Sequence, residues 1–169
     1  TSGRYFNCAL MTGGAVKCWG VNSSGQLGNG GIANQTTPVD VSGLPNTVEA
    51  IAAGGFHTCA LVGAGAIRCW GANSVGQLGN GRDERQPTPV DVIGMASGAT
   101  AVDAGISHSC AVASGGAARC WGANGSGQLG DGSTVDRAAP VDVSGLASGV
   151  TAIAAGGSHN CVLTGSGSA

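Results

Sequence analysis

Seven cysteines are the residues with most chemistry to offer in this 169-residue chain. Six fall in pairs ten residues apart, Cys8/Cys18, Cys59/Cys69 and Cys110/Cys120, and Cys161 stands alone. Each pair flanks a glycine-bearing turn. In the second the turn is Gly63-Ala64-Gly65, and an antiparallel hairpin centred on Ala64 sets Val62 opposite Ala66, Leu61 opposite Ile67 and Cys59 opposite Cys69. Directly opposed residues have Cα atoms about 4.5–5.5 Å apart, within disulfide reach. Closing such a loop contributes about 2–3 kcal/mol in the chain-entropy description. Zinc is the rival chemistry, but no two cysteines show the C-x-x-C spacing of a zinc site. Buried free thiols are the plain alternative. Disulfides place the protein in an oxidising compartment: extracellular, periplasmic or cell surface. Cys161 is expected to be unpaired within the chain, with its partner position falling just past the last residue.

The other reactive side chains recur singly. His57, His108 and His159 share one phase, which scatters them rather than gathering a metal site; each is expected to bond to backbone within its own unit. Asp40, Asp91 and Asp142 are likewise one per unit, not the close carboxylate pair of acid–base catalysis, and are expected to bond to turn backbone. Lys17, Arg68 and Arg119 are expected to lie along the sheet with solvated tips. Trp19, Trp70 and Trp121 are read as packing between units. No G-x-S-x-G, Walker A or HExxH string is present, so no catalytic residue, metal ligand or cofactor site is assigned. Asn-x-Ser/Thr sequons occur at Asn22, Asn34 and Asn124.

These positions repeat because the chain does. CWGVNSSGQLGNG at Cys18, CWGANSVGQLGNG at Cys69 and CWGANGSGQLGDG at Cys120 are spaced by 51 residues, and Pro-Val-Asp-Val recurs at 38, 89 and 140 on the same step. Glycine supplies 33 residues and breaks almost every stretch long enough for a helix. Strands remain, four per unit: small inner runs (Val48–Ala53, Ala99–Ala104, Val150–Ala155), then Thr58–Val62, Ala66–Gly71 and Pro89–Ile93. Four strands in a unit of this length describe a propeller blade. The expected fold is all-β: a β-propeller segment of about three four-stranded blades, incomplete at both ends. The units fall in phase at 1–50, 51–101 and 102–152 with a partial unit at 153–169. Residues 154–169 repeat the phase of 1–16, so the expectation is a piece of a longer propeller or an assembly unit that closes with other copies.

Charged residues amount to 9%, against about 25% in a typical domain. A net charge of −2 lacks the basic footprint of a nucleic-acid binder, so no nucleic-acid partner is expected. The apolar runs fall far short of the roughly 20 residues that span a bilayer.

The strings His57-Thr-Cys-Ala-Leu61 and Arg68-Cys-Trp-Gly71, then Asn73 and Gly76-Gln-Leu-Gly79, resemble the regulator of chromosome condensation repeat, as do their counterparts in the neighbouring units. The resemblance implies a seven-bladed propeller, and the cysteines are similar to those of bacterial exported members. Most members act by presenting a propeller face to another protein. Guanine nucleotide exchange, known in the family, is the least favoured reading, because the strict 51-residue spacing leaves no room for the exchange factor's inserted hairpin. A hydrolase or other enzyme with its site in further blades is the rival class.

Sequence that varies within the fixed repeat points to recognition. The segments 31–37, 82–88 and 133–139 differ freely, and they hold Arg82, Asp83, Glu84 and Arg85 in one unit and Asp136 and Arg137 in another. These six residues are the candidate partner-binding set, carried on rim loops of a rigid scaffold. The expected function is a non-enzymatic interaction or structural module of an exported or cell-surface protein, whose partner is another protein or further copies of itself. Asp103, where sister units have alanine, is expected to line the channel.

Overall fold

A computed structural model describes residues 1–165. Thirteen strands follow one another: β1 (Phe6–Leu10), β2 (Val16–Gly20), β3 (Gln35–Asp40), β4 (Val48–Ala53), β5 (His57–Val62), β6 (Ala66–Gly71), β7 (Gln86–Asp91), β8 (Ala101–Ala104), β9 (His108–Val112), β10 (Ala118–Gly122), β11 (Arg137–Asp142), β12 (Val150–Ala155) and β13 (Asn160–Thr164). They form antiparallel meanders, β4-β5-β6-β7 and β8-β9-β10-β11 with four strands each, flanked by β1-β2-β3 and β12-β13. Short strands joined by glycine turns can bury apolar surface only by stacking sheet on sheet, and this is what the core shows. The inner strands β4, β8 and β12 stand next to one another in sequence order, and β1, the counterpart of β5, lies against β4.

The hairpin register is as the cysteine spacing required: Val62 faces Ala66, Leu61 faces Ile67 and Cys59 faces Cys69. All three pairs are bonded, Cys8–Cys18, Cys59–Cys69 and Cys110–Cys120, each with Cα atoms 4.1 Å apart. Cys161 is free and exposed.

Two strands differ from expectation. The outer strand runs Gln86–Asp91 rather than Pro89–Ile93. Its prolines are tolerated because an edge strand has backbone positions that owe no ladder bond, and a bulge between Cys69 and Gly71 takes up the extra residues. Beyond Asp91 the chain turns away, with the Ile93 N–H bonded to the Gly79 carbonyl. The inner strand of the third sheet begins at Ala101, because the Ala99 N–H is held by the Gly65 carbonyl of the sheet before.

Trp70 and Trp121 join the blades, whereas Trp19 is half-buried and lies outside the buried clusters. Trp70 is fully buried in a cluster with Phe6, Cys8, Val16, Cys18 and Leu27 of the preceding sheet, and Trp121 lies in the next cluster with Cys59, Leu61, Cys69 and Leu78. Their indole N–H groups donate to the carbonyls of Gln26 and Gln77, 2.9 Å away in each case. Thr58 and Ser109 donate their hydroxyls to those same two carbonyls.

Candidate functional site

The 51-residue unit places polar residues at fixed depths, and the structure uses them in ways the spacing alone did not disclose. His57 does not bond to backbone in its own blade. Its Nε2 lies 2.8 Å from the Ser109 hydroxyl in the next one, and His108 repeats the link to Asn160 Oδ1 at 2.9 Å. The correction has a geometric cause: a ring at the start of the second strand points across the seam between sheets, which only the stacking reveals. The rings fit because glycine sits beside them; a Cβ on Gly54 would come 2.3 Å from His57 Cε1, and one on Gly105 2.2 Å from His108 Cε1. Burial, reinforced by the neighbouring His108, lowers the His57 pKa to about 3, and burial also lowers that of His108.

Asp40, Asp91 and Asp142 also depart from expectation. Rather than bonding to turn backbone, they pair with Lys17, Arg68 and Arg119 at 2.7–2.8 Å. Cross-strand register puts each cation opposite its carboxylate, so the basic tips are paired. Asp103 is not a free channel group: its carboxylate accepts the N–H of Ala104 and, across the seam, that of Ala155.

The loops after the third strand are organised by Asn22, Asn73 and Asn124, whose importance the sequence reading missed. Asn73 Oδ1 accepts the Leu78 N–H, and its amide donates to Asn80 Oδ1 and to the carbonyls of Arg82 and Glu84. The signal was available: asparagine recurs at one phase in a glycine-rich setting, where only a side chain can tie down the backbone. Asn22 and Asn124 do the same and are fully buried, so two of the three sequons are engaged inside the fold, whereas Asn34 is exposed.

Of the candidate binding residues, Arg82, Asp83 and Glu84 are exposed, and their side chains form no bond among the described residues. Arg85 reaches back to the Ser23 carbonyl of the preceding loop at 3.1 Å. Asp136 accepts the Asn124 N–H at 2.7 Å, and Arg137 pairs with Asp131 at 2.9 Å. Hydrogen bonds from the Ser133 hydroxyl and amide, then from Arg137 and Asn124, hold the Asp131 carboxyl well below the usual range.

These loops share an end of the blades with the turns after the inner strands, since Gly71 lies opposite both His57 and Gln86. There a depression of about 630 Å³ opens between the inner strands, bordered by Arg4, Gly54, Gly105, Ile106 and Gly156. Ile106 is 52% exposed, and Tyr5, 56% exposed, packs against Phe56 and carries the Arg4 guanidinium over its ring at 5.4 Å. Among the described residues no group of three or more His, Cys, Asp or Glu is placed to hold a metal, and no helix is long and apolar enough to cross a membrane.

Antiparallel four-stranded sheets stacked through their inner strands and sealed by one tryptophan per unit define a β-propeller repeat. The sequence matches the Regulator of chromosome condensation (RCC1) repeat over residues 14–61, 65–112 and 116–163, and the chain belongs to that family. It is 30% identical to the Ultraviolet-B receptor UVR8 of Arabidopsis thaliana across 97% of this chain and 38% of the receptor. With the Probable E3 ubiquitin-protein ligase HERC3 of Homo sapiens it shares 36% over 93% of this chain and 15% of the ligase. Among solved structures, Prp20p of Saccharomyces cerevisiae, described with its binding to Gsp1p and histones, superposes with a TM-score of 0.85 at 25% identity, over 95% of this chain and 42% of Prp20p. The chain thus spans well under half the length of these proteins.

Proposed function

We propose that this propeller segment is a non-catalytic protein-binding module of an exported protein, and that it binds through the end carrying the depression. The observation that carries the reading is the composition of that end. Arg4 and Ile106 border the opening, Tyr5 carries Arg4 over its ring and packs against Phe56, and the loop of Arg82, Asp83 and Glu84 lies at the same end with these side chains uncommitted among the described residues. Exposed aromatic and aliphatic groups rimmed by charge are the make-up of a protein interface. Arg85, Asp136 and Arg137 shape the same rim while bonded internally. Prp20p, described as binding proteins, shares the scaffold. Membership of one larger propeller, with units at 1–50, 51–101 and 102–152, belongs to the same proposal. So does the exported address, supported by three intact bridges in the small cores between sheets.

Cross-linking capture from the native extracellular or periplasmic fraction tests the reading. Wild-type protein should retain one defined partner that is lost both from Tyr5→Ser/Ile106→Ser and from a variant with Arg82–Arg85 replaced by glycine and serine. Capture unaffected by either change would remove this surface from consideration. Mass measured before and after reduction of protein from its native source should differ by two hydrogens per bridge; fully reduced native protein would remove the exported address.

A further inference from the structure

We propose that Asn34 is an N-glycosylation site, modified as the chain passes through an oxidising secretory compartment; the inference rests on the exported address and adds a covalent group to it. The acceptor sequence Asn-x-Ser/Thr occurs as Asn22-Ser23-Ser24, Asn34-Gln35-Thr36 and Asn124-Gly125-Ser126. The fold sorts these three. Asn22 and Asn124 are fully buried. The Asn22 amide nitrogen donates to Asn29 Oδ1 and to the carbonyls of Gly31 and Ala33, at 3.0–3.2 Å. That of Asn124 donates to Asp131 Oδ1, the Ser133 hydroxyl and the carbonyls of Ser133 and Val135. A sugar on either nitrogen has no path to solvent and displaces the bonds that hold its loop.

Asn34 is turned the other way. It is exposed, in the loop that enters β3. Its Oδ1 accepts the Asn22 N–H at 2.8 Å. A backbone N–H donates to the amide oxygen and not to the NH₂ group, so this bond fixes which end of the amide faces inwards. Nδ2 is left on the solvent side and donates to no acceptor among the described residues. A glycosylated asparagine keeps its carbonyl oxygen, so the bond to Asn22 survives the modification. Asp136 shows that the place requires only an acceptor, since its Oδ1 takes the Asn124 N–H at 2.7 Å. Exposure belongs to this place in the blade: Arg85 and Asp136, the counterparts of Asn34, are exposed although each lies in a blade with another before it.

The donor class is an oligosaccharide joined to a polyprenol through pyrophosphate. Nδ2 forms a bond to C1 of the first sugar, the bond from C1 to the pyrophosphate oxygen breaks, the lipid pyrophosphate leaves, and the nitrogen gives up one proton. The Thr36 hydroxyl, two residues further on, completes the acceptor sequence that the transferase reads. A glycan here stands beside Ile32, an aliphatic side chain 49% exposed on the same loop, and screens it from water. The place that Arg85 holds in the second blade is then taken by sugar in the first. Partner contact along the rim is thereby directed to the loops of the second and third blades, where Arg82, Asp83 and Glu84 stand uncovered.

Peptide mapping of protein from its native source tests this. Peptide-N-glycosidase acting in water enriched in heavy oxygen converts a glycosylated asparagine to labelled aspartate. Enzyme-dependent label is expected at Asn34 and not at Asn22 or Asn124, with the bridges read on the same sample. Unlabelled Asn34 in protein whose three bridges are intact overturns the glycan and leaves the exported address standing; fully reduced protein removes both. Made through the secretory pathway of a glycosylating eukaryotic cell, the chain should carry the same label, lost in Thr36→Ala and kept in Thr36→Ser. Neither variant touches Asn34 or its bond to Asn22, so loss of label in the first alone reports the acceptor sequence and not the fold. Label at Asn34 that Thr36→Ala fails to remove, or label at Asn22 or Asn124 in folded protein, overturns the assignment.

Discussion

At His57 the hydrogen-bond pattern fixes the proton. Ser109 donates its hydroxyl to the Gln77 carbonyl, so the histidine must donate from Nε2, which leaves Nδ1 bare and buried without a partner. Protonating that ring means charging a site sealed from water, so its folded pKa of about 3 lies far below the unfolded value near 6.5. Between those limits the unfolded chain binds the extra proton, and acid therefore favours unfolding. Stability should be intact above pH ~6.5 and should fall by about 1.4 kcal/mol per pH unit well below it, until the ring titrates in the folded state. His108 adds to the loss in the same direction. Urea midpoints measured from pH 7 downwards should show the decline, and His57→Gln should lose the His57 share of the slope. Gly54 is the companion of this ring: a methyl group there would also lie 2.5 Å from the Gly105 carbonyl. Gly54→Ala should cost about 1–3 kcal/mol by overpacking, measurable as a lower thermal midpoint.

At the level of single strands and loops, the parts that were legible in advance are those closed by local spacing. Cys59 and Cys69 sit symmetrically about Ala64, and a two-stranded antiparallel register follows from that symmetry without knowledge of the rest of the fold. The sequence could not show where His57 or Asp103 bonds, because their partners, Ser109 and Ala155, lie in the next sheet and are chosen by how sheets stack. The outer strand departs from Pro89–Ile93 because an edge strand accepts proline inside it, and Pro87 and Pro89 both lie within Gln86–Asp91. Arg82–Glu84 stood out through their variation against the repeat, and their exposure is now plain; the apolar half of the proposed face, Tyr5 and Ile106, did not stand out because it is spread over separate turns. Two energies follow. Asn73→Ala removes four hydrogen bonds that hold one loop and should lower unfolding free energy by about 2–4 kcal/mol, against roughly 1 kcal/mol per bond. Replacing Cys59 and Cys69 with serine should cost about 2–3 kcal/mol, and denaturant melts of oxidised and reduced protein should differ in the same sense.

Across the whole molecule the seams follow one rule. His57 to Ser109 spans 52 positions, Trp70 to Gln26 spans 44, and Thr58 to Gln26 spans 32, so each of these bonds reaches an adjoining sheet and no further. The outer edges are also shielded, for the Gly30 N–H bonds to the Pro87 carbonyl and the Gly81 N–H to that of Ala138, laying one blade's loop along the next blade's last strand. Couplings confined to neighbours make cohesion a chain of local terms rather than a single collective one. Denaturation should then resemble fraying of a stack: β12 and β13 exchange their amides at the lowest denaturant, while β5, β6, β9 and β10, braced on both flanks, hold out longest. Equal protection along the entire length in native-state exchange would show instead that the sheets melt as one body.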